Sequence, residues 1–357
     1  MANEMNIFAR RLRQARIRNK LSMEGLSQLV GDRISKQAIS KYEAEKMMPS
    51  SSTVILLADA LKVDVDYFFR PFTFDIQEMN VSFRKKASIG VKETEALKIK
   101  IQNEVEAYLE VEEILQVEKP AFKKAPSHMM HKVEEMVDCA RKLRNDWELG
   151  IDPISNIQDM LEGNGFKVIV TDGPDGFDGV SGMVNDSKPI MVLNKNINMT
   201  ERLRFTSLHE AGHLLFNSSI DPSLTPREKE KMCDAFASEM LLPSEVLKRK
   251  FYGKSKISLK ELTFLQESYG ISIDAIMHKL KDLGYISPKR YETFHIRKNT
   301  NKELKRVVEE SRFKEIRISR FPAMVYSALA QQLITTSKAA SLLGCSLTTI
   351  RNNVNVI

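Results

Sequence analysis

Cysteine is scarce in this sequence of 357 residues, and long apolar runs are missing. Cys139, Cys233 and Cys345 lie far apart and form no C-x-x-C pair, which argues against a disulfide framework and against zinc held by cysteines. No apolar run approaches the roughly 20 residues of a membrane-spanning helix, and the segment MANEMNIFARRLRQ lacks the apolar stretch of a signal peptide. We therefore expect a cytoplasmic protein with no membrane partner.

A strong charge imbalance is also missing. The formal net charge of +7 is modest, so it permits a polyanionic partner without requiring one. Apolar residues make up 42% of the chain and charged residues 28%, which is ordinary for a folded protein. Because the length exceeds what one hydrophobic core usually holds, we expect about two or three domains.

The first part of the chain has the pattern of a small helical domain. In residues 7–18, IFARRLRQARIR, apolar residues recur at helical spacing among five arginines, which predicts an amphipathic helix with a basic outer face. Ser22 and Ser35 suit the N-caps of two short helices, and Gly31 between them suits a left-handed turn. Two short helices joined in this way form a helix-turn-helix, whose second helix enters the major groove of DNA.

The first seventy residues resemble the Cro/C1-type (XRE) helix-turn-helix family of transcriptional regulators, most clearly in AISKYEAEKMMPS. The resemblance implies binding to an operator in double-stranded DNA, and paired half-sites would suit a homodimer. Two residues depart from the family pattern. Met23 stands where glutamine is common, and Glu45 stands where glycine is common.

Five residues are candidate DNA contacts. Lys36, Gln37, Ser40 and Lys41 are expected to face outward near the start of the reading helix; Gln37 suits an adenine edge, and the lysines suit guanine or phosphate. Arg13, on the first helix, suits a phosphate. The first 46 residues hold ten Lys/Arg against five Asp/Glu, which favours a phosphate-facing surface. The alternative is a helical bundle used for protein contacts.

A helical connector follows. Residues 83–117 are rich in Glu, Lys and Leu at helical spacing, which predicts a long helix, and two prolines in EKPAFKKAP separate it from a second helix over 127–147. His128 and His131 lie three apart without a carboxylate at metal-binding spacing. We interpret both as surface or packing histidines.

The segment TSLHEAGHLLF, residues 206–216, places His209 and His213 four apart, with Glu210 directly after the first. We expect a helix that begins at Thr200 and is capped by the Thr200 hydroxyl. On that helix both histidines project from one face, which suits two imidazole ligands of one zinc ion (Zn2+), and Glu210 can act as a general base. The alternative is an ordinary amphipathic helix that happens to carry two histidines.

A third zinc ligand is expected from the next helix. Thr225 and Glu228 form a capping box, so Glu228 already has a structural role. Glu230 has no such role, and Asp234 lies one turn further along the same face. We predict that Glu230 binds the metal and that Asp234 orients a ligand histidine through its other ring nitrogen. The alternative is that both acids merely solvate a helix face.

The stretch from Trp147 to Pro243 resembles the ImmA/IrrE family of zinc metallopeptidases. The resemblance lies in four motifs in the expected order: FDGVSG, KPIMVLN, RFTSLHEAGHLLF and CDAFASEMLLP. It implies a gluzincin-like core, a bound zinc ion, and cleavage or inactivation of helix-turn-helix repressors. Asp234 stands where asparagine is frequent in this family, which is a mild departure.

The C-terminal third is predicted to be helical. ISLKELTFLQESYGISIDAIMHKLKDLGYIS has the pattern of a helical hairpin, and Gly344 separates two short helices near the end. Residues 297–320 are basic, so a second nucleic-acid contact is one interpretation. We favour a packing subdomain that covers the peptidase, because the last helix carries only Arg351 as a basic group.

Together these patterns predict a mainly α protein with a small β-sheet (α+β). The expected parts are an all-α helix-turn-helix domain over 1–74, a helical connector over 75–146, a gluzincin-like metallopeptidase core over 147–250, and a helical subdomain over 251–357.

The expected function is that of a nucleoid-associated transcriptional regulator. Its zinc endopeptidase would cleave a helix-turn-helix repressor, or the protein itself, after stress or a mobile-element signal. Two alternatives stay open. The peptidase-like domain could be a non-catalytic metal or ligand sensor in a repressor or antitoxin-like protein, or the protein could be a protease that its helix-turn-helix docks to substrate.

Overall fold

The computed structural model describes most of the chain, namely residues 2–73, 90–117, 122, 128–185, 187–254, 256–314 and 320–354. These residues are mostly helical and contain one three-stranded sheet, so the expectation of a mainly α fold with a small sheet is confirmed. Across these ranges no helix is long and apolar enough to cross a membrane.

The N-terminal domain is built from short helices around one apolar core. Its elements are α1 (Ala2–Arg18), α2 (Met23–Leu29), α3 (Lys36–Glu43), α4 (Ser51–Leu61) and a 3-10 helix (Val65–Phe69). The Ser22 and Ser35 hydroxyls accept hydrogen bonds from the backbone of the following helix, and Gly31 adopts a φ of 66°, as the sequence predicts. Buried Phe8, Leu12 and Ile39 belong to the core that holds these helices together.

Two of the five arginines of α1 do not belong to the predicted basic outer face. Arg11 is fully buried, and its Nη1 lies 2.7 Å from a carboxylate oxygen of Glu106. Arg16 donates to both carboxylate oxygens of Glu43. The side chain of Arg13 is exposed. The apolar periodicity of α1 does not distinguish arginines that form internal ion pairs from exposed ones. The carboxylates that pair with Arg11 and Arg16 lie elsewhere along the chain.

The connector and the central region alternate helices with the sheet. Their elements are α5 (Val91–Ile114), α6 (Val133–Asp146), α7 (Ile157–Gly163), β1 (Lys167–Thr171), β2 (Gly179–Val184), β3 (Lys188–Asn194), α8 (Thr200–Phe216) and α9 (Pro226–Leu241). The start of the long helix predicted from residue 83 lies outside the described residues, and the described part begins at Val91.

Strand β3 lies at the centre of the sheet, whose order is β1-β3-β2. Strand β1 runs parallel to β3, and β2 runs antiparallel to it. The edge strand β2 also lies against α8, the helix that carries the two histidines. This arrangement puts one edge of the sheet beside the predicted metal-binding helix.

Helix α8 begins at Thr200, as predicted, but the Thr200 hydroxyl does not cap it. Met199 occupies the N-cap position and makes no side-chain capping bond. The backbone N–H of Thr200 instead donates to the hydroxyl of Ser311, at 3.3 Å. A residue from the C-terminal region therefore satisfies a backbone donor at the start of this helix.

One helix contacts both the N-terminal domain and the sheet. On one side α5 packs against α1. On another, the Lys100 ammonium donates to the backbone carbonyl of Asp172, and the Thr171 hydroxyl donates to Glu104. Lys167 on β1 lies 2.6 Å from Glu112 on α5. Polar contacts thus connect the sheet to α5, the same helix whose Glu106 pairs with Arg11.

The C-terminal region is helical, as predicted. Its elements are α10 (Ser244–Phe251), α11 (Leu259–Tyr269), α12 (Ile273–Asp282), α13 (Pro288–Thr300), α14 (Lys302–Glu309), α15 (Arg320–Ala330), α16 (Thr336–Leu343) and α17 (Leu347–Asn353). Helices α11 and α12 share an apolar core with α8 and α9, whereas α15 to α17 share a second core with α5 and the sheet.

Candidate metal centre and DNA-binding surface

Close packing of α8 on α9 brings the predicted metal ligands together. The two helices approach closely at Gly212, because a Cβ atom at this position would lie 3.2 Å from the Phe236 ring and 3.5 Å from the Cys233 sulfur. The rings of Phe216 and Phe236 pack edge to face across the same interface. The face of α8 that carries the histidines is thereby held against the face of α9 that carries Glu230.

The donor atoms of the three predicted ligands lie close together. Nε2 of His209 lies 3.0 Å from Nε2 of His213 and 3.3 Å from Oε2 of Glu230. Nε2 of His213 lies 3.2 Å from Oε1 of Glu230. Among the described residues, these three side chains form a cluster whose ligand atoms lie close enough together to bind one metal ion.

These distances fit zinc. Two ligand atoms that each lie about 2.0–2.1 Å from a tetrahedral zinc ion are about 3.3 Å apart. The donor set of two imidazoles and one carboxylate also occurs in catalytic zinc sites, which keep their fourth position open. His209 is fully buried, whereas Glu230 is 41% exposed, so the cluster faces solvent on one side.

Electrostatics favour a charged carboxylate in this cluster. Hydrogen bonds from His209 and His213 hold the pKa of Glu230 well below its usual range. An ionised carboxylate is the form that binds a metal ion. Glu228 has a different role, as predicted, because it completes the capping box with Thr225 at the start of α9.

Each histidine also has a partner at Nδ1, the ring nitrogen that faces away from the cluster. Nδ1 of His209 donates to Oδ1 of Asp234 at 2.7 Å, which is the contact that we predict for Asp234. Nδ1 of His213 lies 3.5 Å from Sγ of Cys233, a contact that the sequence analysis missed. The sequence places Cys233 directly before Asp234 in the CDAFASEMLLP motif. Which group the Cys233 side chain contacts depends on how α8 and α9 pack.

Glu210 is buried and faces the edge strand of the sheet. Only 3% of this residue is exposed, and the Ser181 hydroxyl on β2 donates to its Oε2 at 2.7 Å. Ser181 belongs to the FDGVSG motif, which by itself does not indicate a role for this residue. The structure brings it to Glu210 because β2 lies against α8.

Two clefts adjoin the helices of the metal cluster. One, of about 850 Å3, is lined by Arg202, Phe205 and other residues, and the second, of about 990 Å3, borders Asp234. Phe205, Asp274 and Ala275 line both clefts. Because Asp274 and Ala275 belong to α12, the C-terminal region supplies part of the cleft walls.

The predicted DNA contacts lie on the surface of the N-terminal domain. Lys36, Gln37, Ser40 and Lys41 are all exposed on α3, and Arg13 is exposed on α1. A weak ion pair, 3.5 Å long, joins Lys36 to Glu24.

The two departures from the helix-turn-helix pattern have structural counterparts. Met23 is partly buried and packs against the core of the N-terminal domain, so it cannot supply the polar contact of a glutamine. Glu45 adopts a φ of 60°, in the left-handed region that favours glycine.

Two regions of the chain are similar to known protein families. Residues 12–68 match the family model of the helix-turn-helix, and residues 167–281 match that of the IrrE N-terminal-like domain. The chain therefore joins a region similar to helix-turn-helix domains to a region similar to the IrrE N-terminal-like domain. The matched region of the second domain begins at β1 and ends in α12.

A curated relative supports the first assignment. Over 61 residues this chain is 39% identical to the uncharacterized HTH-type transcriptional regulator YobD of Bacillus subtilis (strain 168). The aligned part covers 17% of this chain and 53% of the relative. The chain therefore spans about half the length of the curated relative that it matches.

Proposed function

We propose that the IrrE-like domain of this regulator is a zinc-dependent endopeptidase. The observation that carries the proposal is the cluster of donor atoms from His209, His213 and Glu230, with the separate acid Glu210 next to His209 on α8. Structural zinc sites usually have four protein ligands, whereas a site with three leaves a position for chemistry. The matched domain family is also a peptidase family.

The neighbouring side chains have distinct roles in this proposal. When bound, zinc supplies Lewis-acid polarisation of an oxygen ligand. Asp234 accepts the Nδ1 proton of His209, which keeps the Nε2 lone pair directed at the cluster. Glu210 takes a proton from the attacking water and gives it to the leaving nitrogen of the cleaved peptide bond. Ser181 orients the carboxylate of Glu210 by its hydrogen bond.

We propose a helix-turn-helix repressor, or a second copy of this chain, as substrate, and stress or a mobile-element signal as the trigger. The support is the fusion itself, because a DNA-binding domain brings the peptidase to proteins bound at the same operator. In this proposal Lys36, Gln37, Ser40, Lys41 and Arg13 contact the operator. A homodimer reads paired half-sites, and the protein acts at the nucleoid in the cytoplasm.

The substitution Glu210→Gln tests the peptidase function. It keeps the size of the side chain and its ability to accept from Ser181 but removes the base, so zinc should be retained while cleavage falls by about 100-fold or more. The assay incubates the full-length protein with itself and with the products of neighbouring genes, with and without zinc, and looks for fragments. Glu228→Gln is the matched control, because Glu228 only caps α9. Cleavage at the wild-type rate by Glu210→Gln would exclude Glu210 as the base.

A second candidate function is a metal or ligand sensor without catalysis. One observation favours it: Glu210 is buried, and one of its carboxylate oxygens is already hydrogen-bonded to Ser181. A sensor responds through the geometry of its metal site, not through proton transfer. A cell that carries Glu210→Gln should then derepress normally after the inducing stress, whereas a self-cleaving regulator with this change should remain bound to its operator.

A further inference from the structure

We infer that Cys233 is a positioning residue that orients the ring of His213 in the metal centre. The inference rests on the proposed metal-binding function and adds a residue to it. The sulfur of Cys233 lies 3.5 Å from Nδ1 of His213, within hydrogen-bond distance for sulfur.

Packing keeps the Cys233 sulfur in this place. Cys233 is fully buried on α9. A Cβ atom added at Gly212 would lie 3.5 Å from both Cβ and Sγ of Cys233, so the backbone of α8 lies directly against this side chain. His213 follows Gly212 in the chain. The close approach of the two helices therefore places the thiol against the ring without relying on a flexible side chain.

The contact selects the tautomer that a metal ligand needs. A neutral imidazole carries its proton on one nitrogen only, and a metal binds the other nitrogen. Nε2 of His213 faces the cluster, 3.2 Å from Glu230. Nδ1 must then carry the proton and donate a hydrogen bond to Cys233 Sγ. The thiol thus does for His213 what the Asp234 carboxylate does for His209.

The two outer contacts differ in strength. The Asp234 carboxylate is charged and lies 2.7 Å from its histidine, whereas a thiol sulfur is a weak acceptor at a longer distance. Outer-shell partners of metal-binding histidines change metal affinity by about 10- to 100-fold when they are removed. For Cys233 we expect an effect at the lower end of this range.

The test measures zinc affinity of the full-length protein by competition with a chromophoric chelator. Cys233→Ala removes the acceptor, Cys233→Val removes it while filling most of the space, and Cys233→Ser restores a polar acceptor. We expect about tenfold weaker binding for the Ala and Val variants, and affinity within about threefold of the wild type for Cys233→Ser. Cys139→Ala and Cys345→Ala are matched controls, because both cysteines lie outside the cluster, and they should leave the affinity unchanged.

A second measurement reports the ring directly. Nitrogen-15 spectra of the zinc-loaded wild type should show the proton of His213 on Nδ1, and exchange of this proton with water should be faster in Cys233→Ala. Thermal unfolding without zinc checks that each variant is folded.

The outcomes separate this inference from the proposal on which it rests. If the wild type binds zinc tightly and Cys233→Ala or Cys233→Val binds it equally well, Cys233 has no positioning role and the metal site stands. If Cys233→Ser is as weak as Cys233→Ala, the effect comes from packing and the inference is also wrong. A wild type that binds no zinc would overturn both the metal site and the role of Cys233.

Discussion

The candidate DNA-binding surface and the candidate metal centre use polar side chains in opposite ways. On α3, Gln37 and Lys41 are exposed, and one helix with a serine cap is enough to present them. In the metal centre, His209 is fully buried and its ring contacts groups on α9. A surface of the first kind follows from local sequence, whereas a site of the second kind exists only when two helices meet. Substitutions should therefore affect binding alone in the first region and several properties together in the second.

The largest expected effect is in the metal centre. His213→Ala removes one of three ligands, so we expect zinc affinity to fall by more than the roughly 100-fold that bounds outer-shell changes. Metal content after dialysis, together with chelator competition, measures this. His131→Ala is the control, because His131 pairs with Asp221 outside the cluster. Full zinc occupancy in His213→Ala would show that the metal lies elsewhere.

The next-largest effect tests whether α1 carries both a buried structural arginine and an exposed one. Arg11→Met leaves the Glu106 carboxylate buried without its cation, and it also removes donors to two backbone carbonyls. Breaking a buried ion pair typically costs about 3–5 kcal/mol of stability. Burial already raises the pKa of Glu106, so part of this cost will be relieved by protonation.

The matched control for Arg11→Met is Arg13→Met two residues away. The Arg13 side chain is exposed, so the free energy of unfolding should change by no more than about 0.5 kcal/mol. Denaturant unfolding followed by circular dichroism compares the two variants. Equal stability of both would mean that the Arg11 contact with α5 contributes nothing.

Local sequence patterns predicted the helix caps and helix faces, because each of these features depends on a single short segment. The caps at Ser22 and Ser35, the capping box at Thr225 and the shared face of His209 and His213 all follow from spacing of a few residues. The capping box also distinguishes Glu228 from Glu230 by local spacing alone. These features depend only on helix geometry, which is why the sequence reveals them.

Tertiary packing determined what the sequence analysis missed. Ser181 reaches Glu210 because β2 lies against α8, and Cys233 reaches His213 because the helices approach at Gly212. Arg11 is buried because Glu106, on a different helix, supplies its counter-ion. In each case the partner lies on another element, so no local pattern distinguishes these residues from their neighbours.

A smaller effect is expected on the DNA-binding surface, where specific and general contacts should separate. Replacing Gln37 by alanine should relax the preference at one base position, at a cost of about 1–3 kcal/mol for the preferred base. Arg13→Ala should instead weaken binding to all sequences alike and lower the dependence of binding on salt by about one unit of slope. Footprinting and titration with DNA from upstream of the gene measure both. Absence of DNA binding at low salt would favour the protein-contact interpretation of this domain.

The smallest effect concerns the backbone beside the reading helix. Glu45 has a φ of 60°, where a residue with a Cβ atom is strained by about 1–2 kcal/mol relative to the right-handed region. Glu45→Gly relieves that strain but gives the unfolded chain more freedom, and it removes an exposed hydrogen bond from Asn6. We expect a net stabilisation of at most about 1 kcal/mol. Glu45→Ala is the decisive partner variant, because it loses the same hydrogen bond and keeps the strain, so it should be less stable than both the wild type and Glu45→Gly. If Ala and Gly at this position unfold at the same denaturant concentration, the strain of the left-handed backbone does not exceed the entropy cost of glycine, and the departure from the family's glycine is neutral for the fold.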